Sequence, residues 1–117
     1  MREIPLSKGM VALIDDEDYE RISQFKWTAS LESRGTKWYA IRWSRKSEHK
    51  DGKRYKIRLH HAVLGITSAD LAPSEVVDHK NDDGLDCQKG NLQRITQEQN
   101  MLKVRNWRRK VNVDPFL

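Results

Sequence analysis

Cysteine is almost missing from this chain. Cys87 stands alone, so an internal disulfide is excluded and a thiolate zinc site lacks its ligands. No apolar run approaches the roughly 20 residues of a membrane span, and Met1-Arg2-Glu3-Ile4-Pro5 has no secretory h-region. The expected setting is therefore a reducing, cytoplasmic one with no membrane partner. Repeats, low-complexity tracts and linkers are also absent, which predicts one continuous unit over residues 1–117. Apolar residues make up only 37% of it, so the core must be small and a deep multidomain enzyme cavity is excluded.

Charge is abundant and uneven. Residues 37–61 hold nine basic and two acidic side chains, and residues 92–117 hold six and two. Between them, residues 62–91 hold two basic and six acidic. Basic blocks suit a phosphate backbone, and carboxylates gathered between them suit a cation. Solvated faces would give the same pattern.

The spacing predicts short strands at Ile4–Leu6 and Met10–Ile14 around the turn Ser7-Lys8-Gly9, then a short helix capped by Asp15. A strand from Trp27 to Ser30 follows. Lys37–Arg45 and Lys53–Leu59 read as a hairpin whose loop holds Asp51-Gly52. Alternation sets Tyr55, Ile57 and Leu59 on the core side, opposite Arg54, Lys56 and Arg58. On the first strand Tyr39, Ile41 and Trp43 oppose Trp38, Ala40 and Arg42. A sheet with one greasy and one cationic face is either a β-ribbon for a DNA groove or an ordinary antiparallel sheet. The four tryptophans read as packing volume.

Further on, His60–Gly65 forms a short helix, Glu75–His79 a strand, Asn81–Gly84 a turn and Asn91–Ile95 a second strand. Thr96 and Gln99 make a capping box for a helix reaching about Lys110. Asp78 ends one strand, and Asn100 in the helix leans back toward it. Both offer oxygen, which suits Mg²⁺ or Mn²⁺ over zinc. His79 is expected on the opposite side of the strand, off the ion and free to accept a proton. A calcium loop is rejected, because its first and twelfth places would be His79 and Gly90. A site of His60, His61 and His79 is disfavoured, since adjacent histidines seldom share an ion.

Val77-Asp78-His79-Lys80-Asn81-Asp82-Asp83-Gly84-Leu85-Asp86, then Gly90-Asn91-Leu92-Gln93, then Asn100, resembles an HNH endonuclease of the phage and intron-associated type. The upstream stretches Ile4-Pro5-Leu6 through Val11–Tyr19, Lys26-Trp27, Trp38-Tyr39-Ala40 and Leu59-His60 resemble the N-terminal half of those proteins, so the likeness covers nearly the whole chain, to about residue 106. The resemblance implies an α+β fold: a small antiparallel-sheet DNA-binding part over residues 1–59, then a ββα-metal module over residues 60–110. It implies that Asp78 and Asn100 hold the metal and His79 is the general base. Asn91 completes the catalytic set as the central asparagine, which holds the loop and the histidine in place. Cys87 and His61 stand where many members have asparagine and arginine.

The expected partner is double-stranded DNA, cut by a monomer or homodimer. Its phosphates would meet Arg42, Arg54, Lys56 and Arg58 from the sheet, and Lys103, Arg105, Arg108 and Arg109 from the last helix. His60 would either brace its helix or touch a phosphate. The competing expectations are a noncatalytic DNA-binding or regulatory module, whose sheet resembles a plant-type transcription-factor domain, and a nuclease for RNA or single strands.

Overall fold

The computed structural model describes residues 1–32, 35–48 and 50–102. The fold is α+β, with small antiparallel sheets and few helices. Strands β1 (Arg2–Pro5) and β2 (Val11–Ile14) pair around a turn in which Lys8 takes φ 61° and Gly9 φ 70°. Helix α1 (Tyr19–Ser23) follows a 3-10 turn at Asp16–Asp18. Three strands, β3 (Thr28–Glu32), β4 (Lys37–Trp43) and β5 (Lys56–Arg58), form the second sheet with β4 central. Helix α2 (Leu59–Val63) leads to the hairpin of β6 (Glu75–His79) and β7 (Leu92–Thr96). A last helix begins at residue 97 and is described to 102. The predicted continuation toward Lys110 lies outside the described residues, as do Lys103, Arg105, Trp107, Arg108 and Arg109. No helix among the described residues is long and apolar enough to cross a membrane.

The capping box forms as the sequence predicts. Thr96 N–H donates to Gln99 Oε1 at 2.9 Å, and Gln99 N–H donates to Thr96 Oγ1 at 3.1 Å. The hairpin of the basic block differs from its expectation. Strand β4 ends at Trp43 and β5 covers only Lys56–Arg58, because Ser44 and Tyr55 pair with each other beyond the strand ends. Ser44 N–H donates to the Tyr55 carbonyl, and Tyr55 N–H donates to Ser44 Oγ. Gly52 in the intervening loop has φ 69°, the left-handed geometry expected of Asp51-Gly52.

Register corrects the expected faces. Ile41 opposes Arg58, Arg42 opposes Ile57 and Trp43 opposes Lys56. Directly opposed residues share a face, so Arg42 sits with the apolar residue and Tyr39, Ile41 and Trp43 sit with the cations. Nothing in a long loop fixes pairing parity, and a shift of one residue reverses every side chain. Tyr55 and Trp43, expected on the core side and in packing, are 42% and 61% exposed.

One apolar cluster draws on both halves of the chain: Ile4, Ala12, Ile14, Ile22, Trp27 and Ala40 meet Leu59, Val63, Cys87 and Leu92. Trp27 is the largest fully buried member, and its indole N–H donates to the Ile22 carbonyl at 2.9 Å. Arg21 crosses from α1 to the end of α2, donating to the carbonyls of Ala62 and Val63. Such carbonyls have no partner within their own helix.

Candidate active-site cleft

The loop between β6 and β7 is held by amide side chains. Lys80 N–H donates to the Asn91 carbonyl at 2.7 Å, and Asn81 N–H donates to Asn91 Oδ1 at 3.1 Å. Asn91 Nδ2 in turn donates to Asn81 Oδ1 and to the Asp86 carbonyl, both at 2.9 Å. Asn81 Nδ2 donates to Asp86 Oδ2 at 3.0 Å. The loop turns at Asp82, where φ is 63° and Asp82 N–H donates to the His79 carbonyl. Asp is among the residues that tolerate this region. Asn91 thus ties both ends of the loop together directly behind His79.

A second set of contacts fixes the loop to the N-terminal half. Leu13 N–H donates to the Leu85 carbonyl and Cys87 N–H donates to the Leu13 carbonyl, both at 2.8 Å. Lys89 N–H donates to Asp15 Oδ2 at 2.9 Å, and the Lys89 ammonium lies 3.0 Å from Glu17 and 3.2 Å from Asp18. Asp15 therefore does not cap the turn it precedes, contrary to the expectation. Its carboxylate goes to the distant loop. Gly84 permits the closest approach, since a Cβ there would collide with the Trp38 carbonyl oxygen and press on the Tyr39 ring.

Asp78, His79 and Asn100 all line one cleft of about 440 Å³. Residues 76–79 border it together, so Asp78 and His79 face one space even though they alternate along β6. The opposite wall comes from Lys37, Tyr39, Arg58, His60 and His61. Asp78 Oδ2 accepts from Gln93 Nε2 at 2.8 Å, which orients the carboxylate. The His79 ring lies 5.7 Å from that of Tyr39 and 4.8 Å from that of His60, centroid to centroid. Its Nε2 is 3.8 Å from Cys87 Sγ.

Burial sets the protonation of this cluster. It lowers His79 to about 4; Asp78, Asp83 and Asp86 pull it upward and Lys37 pushes it down. His60 falls to about 2, first through burial and then through His79, His61 and Arg58. Burial and Arg58 also lower His61. All three imidazoles are held toward the neutral form, which retains a lone pair for a proton. His60 Nδ1 is buried without a hydrogen-bond partner. Cys87 is fully buried and its thiol is pushed far up, so it is no nucleophile.

The donor set fits a hard cation: a carboxylate and an amide on one cleft supply oxygen. Asp15, Glu17 and Asp18 are the one group of three or more His, Cys, Asp or Glu side chains among the described residues whose ligand atoms lie close enough together for an ion. The Lys89 ammonium already sits on two of them, and Arg21 pairs with Asp18 at 2.9 Å.

The expected DNA-contact residues divide. Arg54 is exposed. Lys56 and Arg58 share Glu32, at 3.5 and 2.9 Å. Arg42 is committed elsewhere, contrary to its expected place on an open cationic face: both of its terminal nitrogens donate to Glu48, and its guanidinium lies 3.7 Å over the Phe25 ring. Sequence reasoning missed Lys37 and Tyr39 as cleft residues, since only the β4 register turns them toward His79.

No family model, curated protein or solved structure matches the chain.

Proposed function

We propose that the chain is a metal-dependent DNA endonuclease of the HNH type, with β6, β7 and the following helix as its ββα-metal module. One observation carries the reading: Asp78, His79 and Asn100, separated in sequence, border a single cleft. A phosphodiester repels an incoming hydroxide and parts with a poor alkoxide. His79, neutral at physiological pH, takes the proton from a water in line with the scissile bond. Asp78 and Asn100 are the residues that would hold Mg²⁺ or Mn²⁺, and the ion would supply positive charge against the charge of the phosphodiester. Asn91 keeps the loop closed so that His79 retains its direction. Arg58 and Lys37 line the facing wall, and in this reading they meet the phosphate. By the HNH likeness the products carry 5′-phosphate and 3′-hydroxyl ends. A monomer nicks, and a two-fold dimer cuts both strands.

The burial of His79 favours the second reading, a noncatalytic DNA-binding module, because a buried imidazole is poorly placed to meet water. Incubation with supercoiled plasmid decides between them. Nicked or linear product with Mg²⁺ and none with EDTA supports the enzyme; intact plasmid in both, with DNA bound, supports the module.

A further inference from the structure

Trp43 is the anomaly of the second sheet. It ends β4, is 61% exposed, and stands directly across from Lys56. A single exposed apolar residue is ordinary. The face that carries this one is not. The pairings Lys37 with Glu32, Ile41 with Arg58 and Trp43 with Lys56 put three cations and Trp43 on the same side of the sheet as Tyr39. The inner end of that side is the wall of the cleft, where Lys37, Tyr39 and Arg58 face Asp78 and His79. Trp43 lies four steps along the strand from Tyr39, about 13 Å at the usual rise. The face thus carries Tyr39 at the cleft and an open indole at its far end, with the buried Ile41 between them and Arg58 and Lys56 alongside.

We propose that this face binds unpaired nucleotides flanking the cleavage point, with Trp43 stacking on one base. The inference deepens the nuclease reading and rests on its choice of DNA as ligand. A base within a duplex stacks on its neighbours and offers only its edge. An unpaired base offers its flat face, which an exposed indole can cover whatever the sequence. Phosphates of the same strand meet Lys56 and Arg58, two cations that share the single carboxylate of Glu32 and so leave positive charge for a polyanion. The preferred substrate is thus DNA with a flap, overhang or frayed end beside the cut.

The test is binding of labelled oligonucleotides in EDTA, where no cleavage intervenes. A duplex with a short single-stranded tail should bind more tightly than the blunt duplex. Trp43→Ala should remove most of that preference, a loss of roughly 5- to 150-fold for one stacked base. Trp43→Phe should retain much of it, and the tail should quench tryptophan emission in the wild type more than in Trp43→Ala. Equal binding of tailed and blunt duplexes by the wild type, or an undiminished preference in Trp43→Ala, overturns the proposal. Because metal is absent, either result is independent of whether plasmid is cut.

Discussion

The imidazoles of His60 and His79 meet edge to face with centroids 4.8 Å apart, both buried. Folding holds the two neutral, at about 2 and about 4, against about 6.5 in an unfolded chain. The unfolded state therefore binds more protons below pH 6.5, and stability is lost as the pH falls. Each histidine contributes a slope of about 1.4 kcal/mol per pH unit, over the window from 6.5 to about 4 for His79 and to about 2 for His60. Urea midpoints between pH 7 and 4.5 should drop for the wild type and drop less steeply for His60→Phe. Equal slopes for the two proteins would contradict the buried, neutral His60.

Gly84→Ala forces a Cβ against backbone, the Trp38 carbonyl, with no flexible side chain to yield. The variant should lose about 1–3 kcal/mol, the usual range for overpacking, and its chemical denaturation midpoint measures this. A wild-type midpoint would mean that the loop does not press on β4 as described.

Asn91→Ala removes the amide that bonds Asn81 and Asp86. Loss of these bonds should cost about 1–3 kcal/mol and abolish cleavage. His79→Ala should differ, losing cleavage with its DNA affinity kept. Comparing the Tm of Asn91→Ala with its nicking rate separates a loop brace from a residue that touches substrate; an Asn91→Ala protein of normal Tm and no activity would contradict the brace.

Arg42 and Arg54 should behave as opposites. Arg54→Ala should reduce the salt slope of DNA binding by about 1 without altering stability. Arg42→Ala should leave that slope unchanged and lower stability, because its guanidinium pairs with Glu48 and covers Phe25. Titrating affinity against salt for both variants checks the assignment, and a reduced slope in Arg42→Ala would reverse it.

Local chemistry was legible in the sequence; long-range partnership was not. Thr96 and Gln99 lie three positions apart, so their mutual capping could be read directly, as could the strand Glu75–His79 and the turn at Asp51-Gly52. Arg42 was misread because the parity of β4 against β5 depends on a loop closed by Ser44 and Tyr55. Asp15 looked like a helix cap, yet it receives the Lys89 N–H from the far loop, and Glu17 and Asp18 receive the Lys89 ammonium. Gly84 looked like a turn residue, and its real constraint is the Trp38 carbonyl, which no spacing rule reveals. Asp78, His79 and Asn100 were read from a strand end and the first turn of a capped helix, with the HNH likeness beside that reading, and the hairpin and the capped helix bring them to one cleft.

The most direct test of the account is the plasmid-nicking rate of His79→Ala in Mg²⁺, with DNA affinity measured alongside. Removal of the imidazole should abolish nicking and leave affinity within a few fold. A variant that nicks at the wild-type rate would contradict the assignment of His79 as the base.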